Sequence, residues 1–230
     1  MKFSDFESIV SSQRMKRYVN ACGGDTRKAM TLYRYNLRLS QEMFIVISYY
    51  EVALRNAIDS ILSKRLGNDW LRDAVLPGGI FDNSVFSGTA RRMKKAYAEL
   101  IATGKYTPSK MLSSMDFGIW KYMFSAPEYR ATGRLLLHVF PNKPKSSQLM
   151  QYNSNYIFKE LDSINRLRNR IAHQEPVCFM SGVDKVSTSH LESCYYCIIT
   201  LFSWMGIPSN ELLYGTNHVI KVCNEIKDLI

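Results

Sequence analysis

The chain has 230 residues, 46% of them apolar and 22% charged, with 30 lysines and arginines against 20 aspartates and glutamates and a formal charge of +10. This is the composition of a folded globular chain, long enough for one domain with a sizeable core, and it excludes a disordered or low-complexity protein. A basic excess of this size argues for a polyanionic partner, nucleic acid before a membrane surface.

Met1-Lys-Phe-Ser-Asp-Phe-Glu carries no apolar signal region. Asp25 is placed to cap a helix running through Met30 and Tyr33 toward Leu39, and Ser40 to cap a longer one. In the second, Met43, Ile47, Tyr50, Leu54, Ile58 and Ile61 recur at three and four residues until Gly67. Turn formers follow from Leu76-Pro-Gly-Gly79 to Asn83. The next helix carries Arg91, Arg92, Lys94 and Lys95 and stops at Gly104. Thr107-Pro108 opens a shorter one, with proline at the first helical position, where its missing N–H costs nothing.

Pro141 to Pro144 reads as a loop. A helix then runs from about Ser147 or Asn155 to His173, and Pro176 stops it. Val177–Val186 is the one region that could hold a short hairpin. Ser189 with Glu192 has the spacing of a capping box before Cys194–Trp204, and Gly206 and Pro208 end that helix. Ser209 or Thr216 begins the last. The apolar run from Cys194 to Ile207 is interrupted and too short to span a bilayer, so the expectation is a cytoplasmic protein without a membrane contact. The five cysteines have no framework spacing, and Cys194-Tyr-Tyr-Cys197 lacks a second ligand pair, so they read as reduced core thiols, with no metal or other cofactor implied. The pattern as a whole is one all-α domain over residues 1–230, with a helical insertion at about 84–145.

The most informative stretch is Arg166-Leu-Arg-Asn-Arg-Ile-Ala-His-Gln-Glu175, closed by Pro176. Ile157, Leu161, Ile164 and Ile171 form an apolar stripe with a gap, and at about 100° per residue Arg168 falls in that gap. An arginine there must be paired, must face a partner subunit or must line a polar pocket, because burying its charge alone is too costly. His173 stacks one turn above Asn169. A guanidinium fork matches two phosphate oxygens and can stabilise a pentacovalent transition state. Imidazole can move a proton near neutral pH, and RNA supplies its own 2′-hydroxyl nucleophile, so this chemistry requires no metal. One histidine serves poorly as both base and acid; a symmetric dimer brings a second Arg168–His173 pair to the same phosphate. The plainer reading is a basic helix terminus in which the arginines complement the dipole and the histidine caps it.

Arg168-Asn-Arg-Ile-Ala-His-Gln-Glu-Pro176 closely resembles the signature of the Abi-like (abortive infection) branch of the HEPN superfamily. Tyr50-Glu-Val-Ala-Leu-Arg-Asn56 and Met115-Asp-Phe-Gly-Ile-Trp120 resemble two further segments of that family, in family order. The resemblance implies an all-α HEPN-type helical bundle with additional helices inserted and appended, and a homodimer formed through the motif helices. It also implies metal-independent RNA cleavage giving a 2′,3′-cyclic phosphate and a 5′-hydroxyl. The setting it implies is antiphage defence, often as a toxin-like effector held by an antitoxin or other inhibitor. Arg168 and His173 take the catalytic positions and Asn169 the polar one. The alternative within the superfamily is a non-catalytic member holding a structured small non-coding RNA.

Glu51, Arg55 and Asn56 fall in the second matching segment. Glu51 and Arg55 are spaced for an intrahelical ion pair, and a buried Glu51 could instead compensate Arg168. Arg166 and Arg170 flank the motif. Arg34 and Arg38 near Tyr33 and Tyr35, and Arg91, Arg92, Lys94 and Lys95 near Tyr97, have the composition of a phosphate track with stacking aromatics. His138, His190 and His218 lack partners at useful spacing and read as structural.

Overall fold

Helical periodicity dominates the chain, and the computed structural model, which describes residues 1–230, folds it into twelve α-helices, two 3-10 turns and no β-strand. In chain order the helices are α1 (Phe3–Val10), α2 (Ser12–Ala21), α3 (Thr26–Leu66), α4 (Trp70–Asp73), α5 (Ser87–Ala102) and α6 (Pro108–Ser113). They continue with α7 (Phe117–Tyr122), α8 (Ala126–Ala131), α9 (Ser154–Ala172), α10 (Ser189–Trp204), α11 (Ser209–Leu212) and α12 (Val219–Leu229). The all-α class is as expected. No helix is long and apolar enough to cross a membrane.

The caps explain most boundaries. Asp25 Oδ1 accepts the Arg27 and Lys28 amides and starts α3. Thr107 accepts from Lys110 N ahead of Pro108, as its sequence predicts. Three boundaries differ from expectation. Ser40 does not start a helix: α3 is one element of 41 residues. Leu32, Asn36, Leu39, Met43, Ile47, Tyr50, Leu54 and Ile58 keep one buried face through Ser40, and a serine in a helix interior costs only about 0.5 kcal/mol. The last buried position of that face is Leu62 rather than Ile61. α9 is capped by Asn153, whose Oδ1 accepts the Tyr156 amide, so it starts between the two expected residues. The cap of α10 is Thr188, one residue before Ser189, and its hydroxyl donates to Glu192 (2.6 Å).

The chain divides into two compact units. One comprises Met1–Ser48, Arg166–Thr200 and Ser209–Ile230. Its core gathers Met15 and Tyr18 of α2, Leu32 and Leu39 of α3, Leu191 and Ile198 of α10, and Val222 and Ile226 of α12. Tyr18 packs edge-on against both Tyr33 and Phe179 (5.3 and 5.1 Å between ring centres). Arg38 pairs with Glu225 (2.8 Å), and Lys227 with Glu192 (2.6 Å), tying α12 to α3 and α10. The expected hairpin is a single antiparallel bridge, Phe179 with Val186. All five cysteines are free thiols, three of them buried.

The other unit comprises Tyr49–Asn165 and Leu201–Pro208, and residues 84–145 lie wholly within it. Tyr50, Phe117 and Phe202 meet at its centre, with Trp120 fully buried. Lys121 is buried too. Its Nζ bonds Asp162 (2.8 Å) under the rings of Tyr122 and Phe158, so its charge is compensated. The turn at Gly79 brings the chain against the end of α4: a β-carbon there would lie 2.1 Å from the Asp73 carbonyl oxygen, so only glycine fits.

Candidate active site

The motif occupies the last turns of α9 and the turn after it. Ile157, Leu161 and Ile164 are fully buried as expected, but the next buried position is Leu167. Leu167, not Arg168, therefore fills the gap in the stripe, a leucine being the better side chain to bury. Arg168 stands beside it, half-buried, and its Nε is sealed from solvent without a hydrogen-bond partner in the protein. Asn169 and His173 are exposed. The Asn169 carbonyl accepts the His173 amide (2.9 Å), which puts the imidazole-bearing residue at the end of the same helix.

The end of α9 is a Schellman turn. The Glu175 amide donates to the Arg170 carbonyl (2.8 Å) and the Gln174 amide to the Ile171 carbonyl (2.9 Å). Gln174 takes the left-handed position, φ 55°, that glycine usually fills, at a cost of about 1 kcal/mol. Side chains fasten this turn from several directions. Arg170 pairs with Glu175 (3.4 Å) and donates to the Pro176 carbonyl. From α2, Arg14 Nη1 donates to the Gln174 carbonyl (2.9 Å). The buried Asn36 of α3 accepts the Val177 and Cys178 amides (2.8 and 3.2 Å). Arg17 donates to the Met180 and Val183 carbonyls, pairs with Asp184 and lies over the Phe179 ring.

These anchors were not legible in the sequence. Arg14, Arg17 and Asn36 sit more than a hundred residues from the segment they hold. Asn36 alone left a trace, as a polar residue on the apolar face of α3. Ser11, Gln13, Arg14, Arg17, Glu175 and Pro176 line a cleft of about 430 Å³ beside the turn. Ser11 has positive φ (79°), another strained non-glycine residue at this edge.

Of the flanking arginines, Arg166 is exposed while Arg170 is spent on the turn. His190, read as structural, lies beside the motif helix. Burial first, and then the charge of Arg170, push its imidazole below the ordinary histidine range. His218 also has a partner that its spacing did not reveal, the Glu42 carboxylate at 3.3 Å. Glu51 and Arg55 are half-buried and Asn56 exposed, and the hydrogen bond Arg55 makes is a long one to its neighbour Asn56 (3.4 Å).

The expected basic tracks carry carboxylates. On α5, Arg92 pairs with Asp116, Lys94 with Asp82 and Lys95 with Glu99, at 3.4 to 3.9 Å, while Arg91 is exposed. These are weak surface pairs that a phosphate could displace. On α3, Arg34 lies over the Phe6 ring and Arg38 holds Glu225. The Phe-Gly-x-Trp segment has a packing explanation. Asp116 caps α7 by accepting the Ile119 amide, and a β-carbon at Gly118 would lie 2.6 Å from the Arg92 guanidinium. Glycine leaves the room in which Arg92 reaches Asp116.

The Abi-like protein family matches residues 2–178, which includes all three motif segments, and the chain belongs to that family. This membership places it with abortive-infection proteins. Over 81 residues it is also 28% identical to a protein of Buchnera aphidicola (subsp. Acyrthosiphon pisum, strain Tuc7) described as "Probable nicotinate-nucleotide adenylyltransferase". That match covers 35% of each chain, so the chain spans about a third of the length of this curated relative. No solved structure matches the chain.

Proposed function

We propose that the chain is a HEPN-type, metal-independent endoribonuclease of an antiphage abortive-infection or toxin-like system. The observation that carries the reading is the state of Arg168: a half-buried cation with a sealed, unpartnered Nε, five residues before an exposed histidine. Nε alone is sealed in this way; the Nη atoms at the tip of the same fork are the ones that can meet an anion, and a phosphodiester is such an anion. Arg168 stabilises the charge on the phosphorane, His173 transfers protons and Asn169 orients the phosphate. The 2′-oxygen attacks the adjacent phosphorus, the 5′-oxygen leaves with a proton, and the products carry a 2′,3′-cyclic phosphate and a 5′-hydroxyl.

In this reading two copies join through the motif helices, so that one histidine acts as base while the second acts as acid. The family membership supports the defence setting, in which a partner protein or RNA holds the effector until infection. The formal charge of +10 supports RNA as the ligand.

The test is cleavage of labelled RNA in excess EDTA by wild type, Arg168→Ala and His173→Ala. The reading expects cyclic-phosphate products from the wild type and a loss of about 100-fold or more in either variant. Tight RNA binding by a wild type that cuts nothing across a broad RNA panel would instead establish the non-catalytic RNA-binding alternative. Sedimentation equilibrium tests the dimer.

A further inference from the structure

We infer that Arg14 is a positioning residue for His173, acting across the fold through the turn that follows it. The kinetic part of this inference rests on the nuclease reading above; the structural part does not. His173 is the last residue before a left-handed non-glycine position, and the two Schellman bonds that close the last turn of α9 around it persist only while Gln174 keeps φ near 55°. L-residues leave that region readily unless something holds them. Two kinds of bond hold Gln174 here. The Schellman bonds come from α9 itself and open together if residue 174 flips. The second hold is the Arg14 Nη1 bond to the Gln174 carbonyl at 2.9 Å, which comes from a different helix 160 residues away.

Arg14 is well placed for this duty. It lies on the first turn of α2, whose cap Ser11 accepts the Arg14 amide, so backbone and side chain are both fixed. The neighbouring Met15 and Tyr18 are buried and set the helix against the core. Arg170 and Asn36 pin the chain further on, at Glu175 through Cys178, so the Gln174 carbonyl is the one point at which α2 grips the residue after the histidine.

The test uses the full chain as wild type, Arg14→Ala and Arg14→Lys, with three readouts. They are hydrogen exchange of the Glu175 amide, the thermal midpoint, and kcat and KM on a labelled single-stranded RNA. Loss of one charge-assisted hydrogen bond at an exposed site leads us to expect about a ten-fold loss of Glu175 protection and about a ten-fold fall in kcat in Arg14→Ala. KM should stay within about two-fold, and Arg14→Lys, which keeps a cationic donor, should recover most of both losses.

Unchanged protection and kcat in Arg14→Ala would overturn the inference. So would a loss carried by KM alone, which would make Arg14 an RNA contact. Uniform loss of protection across the chain with a lowered thermal midpoint would also overturn it, making Arg14 a general prop. If the wild type cleaves no RNA, the nuclease reading fails separately, and Glu175 exchange still decides whether Arg14 holds the turn.

Discussion

Replacing Arg168 by methionine should leave the folded chain at least as stable as before while removing its activity. The Arg168 Nε has less than 1 Å² of exposed surface and no hydrogen-bond partner. A buried donor in this condition costs about 1–3 kcal/mol, and more when charged. Because the residue as a whole is half-buried, water reaches other parts of it and the lower end of that range applies. Methionine keeps the apolar stem beside Leu167 and removes the orphaned donor, for a gain of about 1 kcal/mol. In a chain of this length that raises the midpoint by about 2–4 °C. Thermal unfolding followed by circular dichroism in dilute, RNA-free protein measures it, with RNA cleavage assayed in parallel. A midpoint lowered by several degrees would refute the reasoning, because it would mean the guanidinium is already compensated by the protein.

Gly79→Ala should destabilise by about 3 kcal/mol or more, since its β-carbon would meet the Asp73 oxygen and the Ala74 carbonyl carbon, both backbone, at 2.1 and 2.6 Å. A melting temperature within a degree of wild type would contradict that packing. Gln174→Gly removes the left-handed penalty at φ 55° and should add about 0.5 kcal/mol after the entropy of a new glycine, read as a higher urea midpoint. Burial pulls the Glu192 carboxyl upward, but the hydrogen bonds from Lys227 and Thr188 and the lysine charge outweigh it and hold the group below its usual value of 4.5. The stability it contributes is therefore present above pH 4.5 and lost as pH falls through the lower folded value. Urea midpoints of wild type and Glu192→Gln should differ at neutral pH and converge in acid; a gap independent of pH would rule this linkage out.

The helices were legible because apolar spacing and capping residues are local signals. Asp25, Thr107 and Pro108 act where the sequence places them. Ser40 has the side chain of a cap, but the buried face continues through Leu39, Met43 and Ile47, and that continuity outweighs the local signal. Arg168 differs from its expected place for a related reason. Leu167 is one residue away, and the 100° step between them separates a core side chain from one at the rim of the core. Arg168 and His173 could be picked out by type and spacing. Their supports could not, because the hydrogen bonds that Arg14 donates to Gln174 and that Asn36 accepts from Val177 and Cys178 are long-range, and only the polar Asn36 on an apolar face hints at them. The α5 cations were visible as a run, but the partner carboxylates Asp82 and Asp116 lie outside the helix.

The clearance at Gly118 bears on how relatives of this chain should be sorted. The Asp116–Trp120 segment caps a helix and leaves room for the Arg92–Asp116 pair, so its presence has a packing explanation that does not call on catalysis. A homologue that keeps Arg92, Asp116 and Gly118 but has lost Arg168 or His173 should fold here unchanged and fail to cut. A homologue with a larger residue at position 118 can keep Arg92, whose exposed guanidinium can swing aside, but should lose the pair with Asp116. The segment is thus a trait to be scored apart from the arginine and histidine when deciding which family members are enzymes.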